Sequence, residues 1–253
     1  IEHLKTCFKK EFTVIGEYWK SDVGVLQKYI DATRGMIQLF DVPLHHNLYE
    51  ASRSGADYDM RTILDHTLVK ENPMYAITFV DNHDTQPLQA LESTVDYWFK
   101  PLAYALILLR EQGIPCVFYP ALYEARYKDT REEQEHYIEL SKVQYIERLM
   151  EARKNIAYGE QRDYFDDQHC IGWTRAGNLE KEYSGCAVLM TNGDAATKRM
   201  SMSAYNKGRV LIDLCGKQEE KITLDENGEA DFTVGPGSVA VWIDERYTIE
   251  NGL

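Results

Sequence analysis

Two short apolar runs in this sequence each end in acidic residues. Phe12-Thr13-Val14-Ile15-Gly16 delivers Glu17-Tyr18-Trp19, and Ile77-Thr78-Phe79-Val80 delivers Asp81-Asn82-His83-Asp84. If both runs are parallel strands, their carboxyl ends share one edge, where α/β folds gather ligands and reacting groups. Paired carboxyl groups there suit cleavage of a glycosidic bond: a protonated acid assists the leaving oxygen, and an anion stabilises an oxocarbenium-like transition state. Acids at strand ends also cap the following helix or ligate metals, so these two structural roles stand beside the catalytic one.

The elements that must position these acids follow from the hydrophobic pattern. Up to about residue 123, short apolar runs alternate with helical stretches, the pattern of successive βα units around a parallel sheet. Residues 12–16, 36–40, 75–80 and 115–119 read as buried strands. Residues 93–112 read as the clearest helix, with Val95, Trp98, Phe99, Leu102, Ala105, Leu106 and Leu109 on its apolar positions and a glycine stop at Gly113. A further helical run is expected over residues 131–155, and Ile1, Leu4, Cys7 and Phe8 predict a helix at the start. After Tyr158 the chain turns to short strand-like runs at 171–175, 185–191, 198–202, 210–213, 221–224, 230–234 and 239–243. Turn residues separate them, which predicts an antiparallel sandwich. The expected division is an α/β part, residues 1–156, and an all-β part, residues 157–253, sharing a packed interface.

Composition bounds the partners. The 253 residues are 44% hydrophobic and 27% charged, those of an ordinary globular chain, and the net charge of −13 repels nucleic-acid phosphates and anionic membrane surfaces. A neutral substrate fits better, with no nucleic-acid or membrane partner. The 17 tyrosines and 4 tryptophans could supply flat rings for pyranose faces, although such rings more often pack in cores. Cys7, Cys116, Cys170, Cys186 and Cys215 form an odd set without paired short spacing, which argues against a disulfide scaffold or a CxxC metal site and favours a cytoplasmic location. No apolar run approaches the roughly 18 residues that span a bilayer.

The run Phe79-Val80-Asp81-Asn82-His83-Asp84-Thr85-Gln86 resembles a conserved motif of the α-amylase family, glycoside hydrolase family thirteen, and Val14-Ile15-Gly16-Glu17-Tyr18-Trp19 resembles that family's acid-bearing strand. Phe40-Asp41-Val42-Pro43-Leu44-His45, Tyr58-Asp59-Met60-Arg61, Trp98-Phe99-Lys100-Pro101-Leu102-Ala103-Tyr104, Ala152-Arg153-Lys154 and Gly172-Trp173-Thr174-Arg175 are similar to the bacterial liquefying-type members in order and spacing, along nearly the whole chain. The resemblance implies the C-terminal half of a (β/α)8 TIM barrel followed by a Greek-key β-sandwich. It implies retaining cleavage of internal α-1,4-glucosidic bonds in starch- or glycogen-type glucans. Glu17 would be the general acid/base, held protonated by partial burial and neighbouring carboxylates. Asp84 would stabilise the transition state and His83 would donate to a sugar hydroxyl. Trp19 and Tyr18 would border a sugar-stacking surface, and Gln86 would order the loop.

In that family the nucleophilic aspartate lies on the strand before the one carrying the Glu17 equivalent, and no such strand precedes Ile1. The resemblance therefore implies a fragment that lacks the nucleophile, is inactive alone, and has the missing N-terminal half of the barrel as its partner and an α-glucan as its substrate. A related transglycosylase or oligoglucosidase, and a non-catalytic carbohydrate-binding fragment, are the alternatives. Family resemblance also implies a structural calcium in the full-length parent, held upstream of Ile1, and in some members a metal between barrel and sandwich, at the loop after Gly55 and an acidic turn near Asp166. Here that turn reads Phe165-Asp166-Asp167-Gln168-His169-Cys170, and Asn192 stands where an aspartate is common. Fewer anionic oxygens weaken a hard-cation site, so no metal is assigned to this chain. Tyr119-Pro120-Ala121-Leu122-Tyr123 departs from the family's Gly-Asp after the tyrosine, and Pro120 stiffens that loop.

Overall fold

The computed structural model describes residues 2–9 and 12–251. Helix α1 (Glu2–Phe8) realises the opening helical spacing, while Ile1 lies outside the described residues. Strands β1 (Ile15–Gly16), β2 (Gln38–Phe40), β3 (Ala76–Phe79) and β4 (Ile114–Cys116) form a parallel sheet in that order. Ile15 lies opposite Gln38, Leu39 opposite Ala76, and Ile77 opposite Ile114. All four expected strands exist, each shorter than its apolar run. Parallel strands require crossovers, and here these are α2 (Val23–Ala32), then α3 (Val42–Ser54) with α4 (Leu68–Glu71), then α5 (Lys100–Leu109). Aspartates start two of them: Asp22 accepts from the amides of Gly24 and Val25, and Asp41 from that of Leu44.

Two expectations are corrected. The helix predicted over residues 93–112 begins only at Lys100, with Pro101 in its first turn, where a missing N–H costs nothing. Upstream, the backbone is held by tertiary partners: Ser93 donates to the carbonyl of Thr85, Val95 to Asp81 and Asp96 to Ser52 Oγ. The helical run predicted over residues 131–155 is helical only in α7 (Ile146–Asn155). After a short helix α6 (Tyr119–Tyr123), strands β5 (Ala125–Arg131) and β6 (Gln134–Leu140) pair antiparallel as a hairpin. Its two turn residues, Glu132 and Glu133, have φ of 52° and 65°. A two-residue hairpin of this hand needs positive φ at both positions, normally supplied by Asn-Gly, so two glutamates gave no turn signal.

The β part holds β7 (Gln161–Tyr164), β8 (Cys170–Arg175), β9 (Cys186–Thr191), β10 (Ala196–Ser201), β11 (Val210–Asp213), β12 (Ile222–Thr223), β13 (Glu229–Val234) and β14 (Val239–Asp244), then helix α8 (Glu245–Asn251). One antiparallel sheet runs β12-β11-β14-β9-β8-β7, and a β10–β13 ribbon packs on it around Leu189, Met200, Phe232 and Trp242. Within the β part, β7, whose Gln161-Arg162-Asp163-Tyr164 is polar, is the strand that went unread in the sequence.

The parts share one core running from Leu26 and Leu48 through α5 to Trp173, Val188 and Val241. At the end of α5, orphan carbonyls of the kind every helix terminus leaves find donors from the β part and from α7. The Trp173 indole donates to Leu109 at 3.4 Å, and Arg153 to Leu108 and Arg110 at 3.2 and 2.8 Å. All five cysteines are free thiols, and among the described residues no helix is long and apolar enough to cross a membrane.

Candidate active site

The carboxyl ends of β1, β2 and β3 lie side by side because the strands are adjacent, parallel and in near register. Glu17 follows β1 immediately and is exposed, which corrects the expected partial burial; the described residues leave its carboxyl group open to water. Tyr18 is half-buried, with its ring 4.9 Å from that of Tyr29 on α2. Trp19, also half-buried, turns inward, its ring centroid 5.7 Å from His45 and 6.0 Å from Phe79 at the end of β3. The segment carrying Glu17 is thereby packed onto the strand that leads to Asp84.

The loop after β3 is built by Asn82. Its side-chain oxygen accepts from the amides of Asp84 and Thr85, each at 3.0 Å, while Thr85 Oγ1 accepts from the Asn82 amide at 2.9 Å. This Asx turn, a favoured use of asparagine, points His83 and Asp84 outward: their side chains are 70% and 34% exposed, with His83 Nε2 3.5 Å from Asp84 Oδ1. Gln86 lies behind the turn, in a narrow cleft with Asp81, Lys100 and Tyr104. Glu17, Tyr18 and Trp19 thus follow β1, and His83 and Asp84 follow β3, at the carboxyl ends of one parallel sheet with β2 between them, while Gln86 lines the cleft with Asp81.

Three residues to which the sequence reading gave no role hold this arrangement. Asp81 is buried and lies 2.6 Å from the Lys100 ammonium, with its other oxygen accepting from the Val95 amide at 3.0 Å. His45 is fully buried, its Nδ1 2.7 Å from the carbonyl of Val80 and its Nε2 2.8 Å from Ser93 Oγ, so it clamps both feet of the loop that carries Asp84. The imidazole stacks on Phe79 at 5.1 Å, and burial pushes its pKa down to about 4. Asp41, at the end of β2, accepts from the amides of Leu44, Leu68 and Val69, yet burial outweighs these bonds and raises its pKa to about 6. Asp41 and His45 both stand in a quoted motif, and a polar residue just beyond an apolar run was the available signal.

The residues at the expected inter-domain metal position do not fit a cation. The Asn192 amide donates to the carbonyls of Gly55 and Tyr58 at 2.7 and 2.8 Å, joining β9 to the loop after α3. Two carbonyls that could have faced a metal face N–H donors instead. Among the described residues no group of three or more His, Cys, Asp or Glu could hold a metal ion.

No family model matches the chain. It is 46% identical over 247 residues to the cytoplasmic α-amylase of Escherichia coli (strain K12), covering 97% of this chain and 50% of that protein. It is 45% identical over 240 residues to an α-amylase of Geobacillus stearothermophilus, covering 95% of this chain and 42% of that protein. The crystal structure of an Anoxybacillus α-amylase shares the fold with a TM-score of 0.66 at 17% identity, over 96% of this chain and 54% of that one. The chain spans about half the length of the curated relatives it matches. Over nearly all of its residues, the chain is homologous to a portion of the bacterial α-amylases.

Proposed function

We propose that the protein to which this chain belongs cleaves internal α-1,4-glucosidic bonds of starch- or glycogen-type glucans with retention, and that this chain brings two of the three carboxyl groups required. Glu17 protonates the departing glycosidic oxygen and then activates the incoming water. Asp84, with His83 beside it, hydrogen-bonds the hydroxyls of the distorted sugar, and Tyr18 and Trp19 border the neighbouring subsite. The nucleophile comes from the missing N-terminal half of the barrel. In this reading residues 1–156 are the C-terminal half of a (β/α)8 barrel and residues 157–253 a Greek-key sandwich. Any calcium resides with the upstream part of the parent. The free cysteines, and a relative named as cytoplasmic, favour a cytoplasmic location.

The observation that carries this reading is that two acid-bearing strands, β1 and β3, run parallel in one sheet with β2 between them, their ends tied by Trp19 against Phe79 and by His45 against Val80. The test joins the chain to its upstream half and follows reducing ends released from soluble starch. Glu17→Gln should lower the rate roughly 10²–10⁴-fold, the usual contribution of a general acid. A wild-type protein no faster than that variant overturns the reading.

A further inference from the structure

Beneath the loop that carries Asp84, a narrow cleft is lined on its polar side by Asp81, Gln86, Thr94, Lys100 and Tyr104, and otherwise by apolar groups such as Phe118 and Ala121. It leaves about 10 Å³ of free space, the room one water molecule needs. Lys100 and Tyr104 are four residues apart on α5, so their side chains lie on one face of that helix. Tyr104 is fully buried, and its phenolic proton finds no acceptor among the described residues. Burial also pushes the phenol pKa well up, so the hydroxyl keeps that proton at any ordinary pH. A buried hydroxyl left unpaired is costly, and such groups are nearly always satisfied by protein or by ordered water. The Lys100 ammonium gives one of its three protons to Asp81, at 2.6 Å, and has two more to donate. Gln86, half-buried, brings an amide that both donates and accepts.

We propose that this cleft binds one water molecule, which accepts from the Tyr104 hydroxyl and the Lys100 ammonium, donates to the Gln86 side chain, and so fixes the Asp84 loop to α5. Three partners are the usual number for a buried water. Charge selects the ligand: Asp81 already balances Lys100, so an anion would meet the carboxylate and a cation the ammonium, which leaves a neutral molecule. Gln86 stands two residues beyond Asp84, and the loop closes on itself there. The Leu91 amide donates to the Asp84 carbonyl at 3.0 Å, and Thr94 Oγ1 to the Thr85 carbonyl at 2.8 Å. A tie at Gln86 is therefore felt at Asp84. Tyr104 acts through the water and the loop, as a positioning residue, and its effect on hydrolysis rests on the function proposed above.

The experiment uses the full-length protein and Tyr104→Phe, which removes the hydroxyl and keeps the ring. With a water bound, the variant deprives it of a partner and should lower the thermal midpoint by roughly 2–4 °C. With none bound, deleting an unpaired hydroxyl raises the midpoint, so the sign of the shift decides. Crystals of the wild type should show density within about 2.5–3.2 Å of both Tyr104 Oη and Lys100 Nζ, weakened in the variant; should the variant fail to fold, the wild-type density decides alone. The variant's kcat on soluble maltoheptaose should fall about threefold or more with KM within about twofold, because a displaced loop misplaces Asp84 without removing a sugar contact. A raised or unchanged midpoint, a dry cleft in the crystal, or an unchanged kcat in an active enzyme overturns the proposal. So does a chloride-dependent midpoint, at constant ionic strength, in the wild type but not in the variant, since the ligand would then be an anion. If the wild type hydrolyses nothing, the midpoint and the density still decide the water site, and only the catalytic reading falls.

Discussion

His45 holds Val80: its Nδ1 lies 2.7 Å from that carbonyl, at the point where β3 ends and the loop bearing His83 and Asp84 begins. Because a carbonyl can only accept, Nδ1 carries the proton, while Nε2 lies 2.8 Å from Ser93 Oγ, whose hydroxyl also donates to the carbonyl of Leu91. Full burial favours the neutral imidazole, since a charged ring would lose its hydration there.

This sets a pH dependence with two opposed parts. The His45 pKa falls from 6.5 to about 4 by burial, so its contribution is present above pH 6.5 and is lost as the pH drops toward 4. The Asp41 pKa rises from 3.8 to about 6, again by burial, so its contribution is present below 3.8 and is lost as the pH climbs through 6. Each amounts to roughly 3 kcal/mol, and over the shared window they largely cancel. Asp41→Asn should unmask the histidine: thermal midpoints measured from pH 6.5 to 4 should fall more steeply than in the wild type. An equal slope in both proteins would show that Asp41 does not offset His45.

Lys100 and Asp81 form a pair whose side chains are 14% and 5% exposed. Lys100→Met strands a buried carboxylate beneath the Asp84 loop and should cost about 3–5 kcal/mol in denaturant unfolding. Adding Asp81→Asn should recover at least half of that loss, since the asparagine oxygen can still accept from Val95. A double variant no more stable than Lys100→Met would mean that the charge pair is not the source of the loss.

The β5–β6 hairpin leans on the same loop: the Tyr127 hydroxyl donates to the Pro87 carbonyl at 2.5 Å, the Gln89 amide to Asp129 at 2.7 Å, and Arg131 pairs with Glu92 at 2.8 Å. Its turn carries two glutamates in the left-handed region, which costs about 1–2 kcal/mol per residue. Glu132→Asn with Glu133→Gly should stabilise the protein by about 1–2 kcal/mol in the same unfolding assay. A loss of stability would place the turn in another conformation.

Asn192→Asp puts an anion against the carbonyls of Gly55 and Tyr58 and removes both hydrogen bonds. Each carbonyl left unsatisfied costs about 1–3 kcal/mol. The variant should therefore melt earlier in a chelator and gain more from millimolar calcium than the wild type does. A variant as stable as the wild type in chelator would mean that the amide does not tie β9 to that loop.

The parallel strands were legible because apolar runs such as Ile77 to Val80 sit between helical patterns, and most β-domain strands because turn residues bracket them. What escaped reading was decided by tertiary partners. Val95 satisfies its amide on Asp81 instead of extending α5, and β6, exposed at Gln134 through Tyr137, lacks the alternation that marks a half-buried strand. The candidate acids were legible as types at strand ends. Their supports were not, because Lys100 meeting Asp81, or His45 bridging Val80 and Ser93, depends on contacts between residues 19 to 48 positions apart that no local pattern encodes.

The most direct measurement is a crystal structure of the whole protein carrying Glu17→Gln with a maltooligosaccharide bound. The account predicts the substituted amide side chain at position 17 within hydrogen-bond reach of one glycosidic oxygen, with Asp84 and His83 bonded to hydroxyls of the sugar beside it. A glucan bound with position 17 and Asp84 on different sugars, or with either side chain turned away from the ligand, would contradict it.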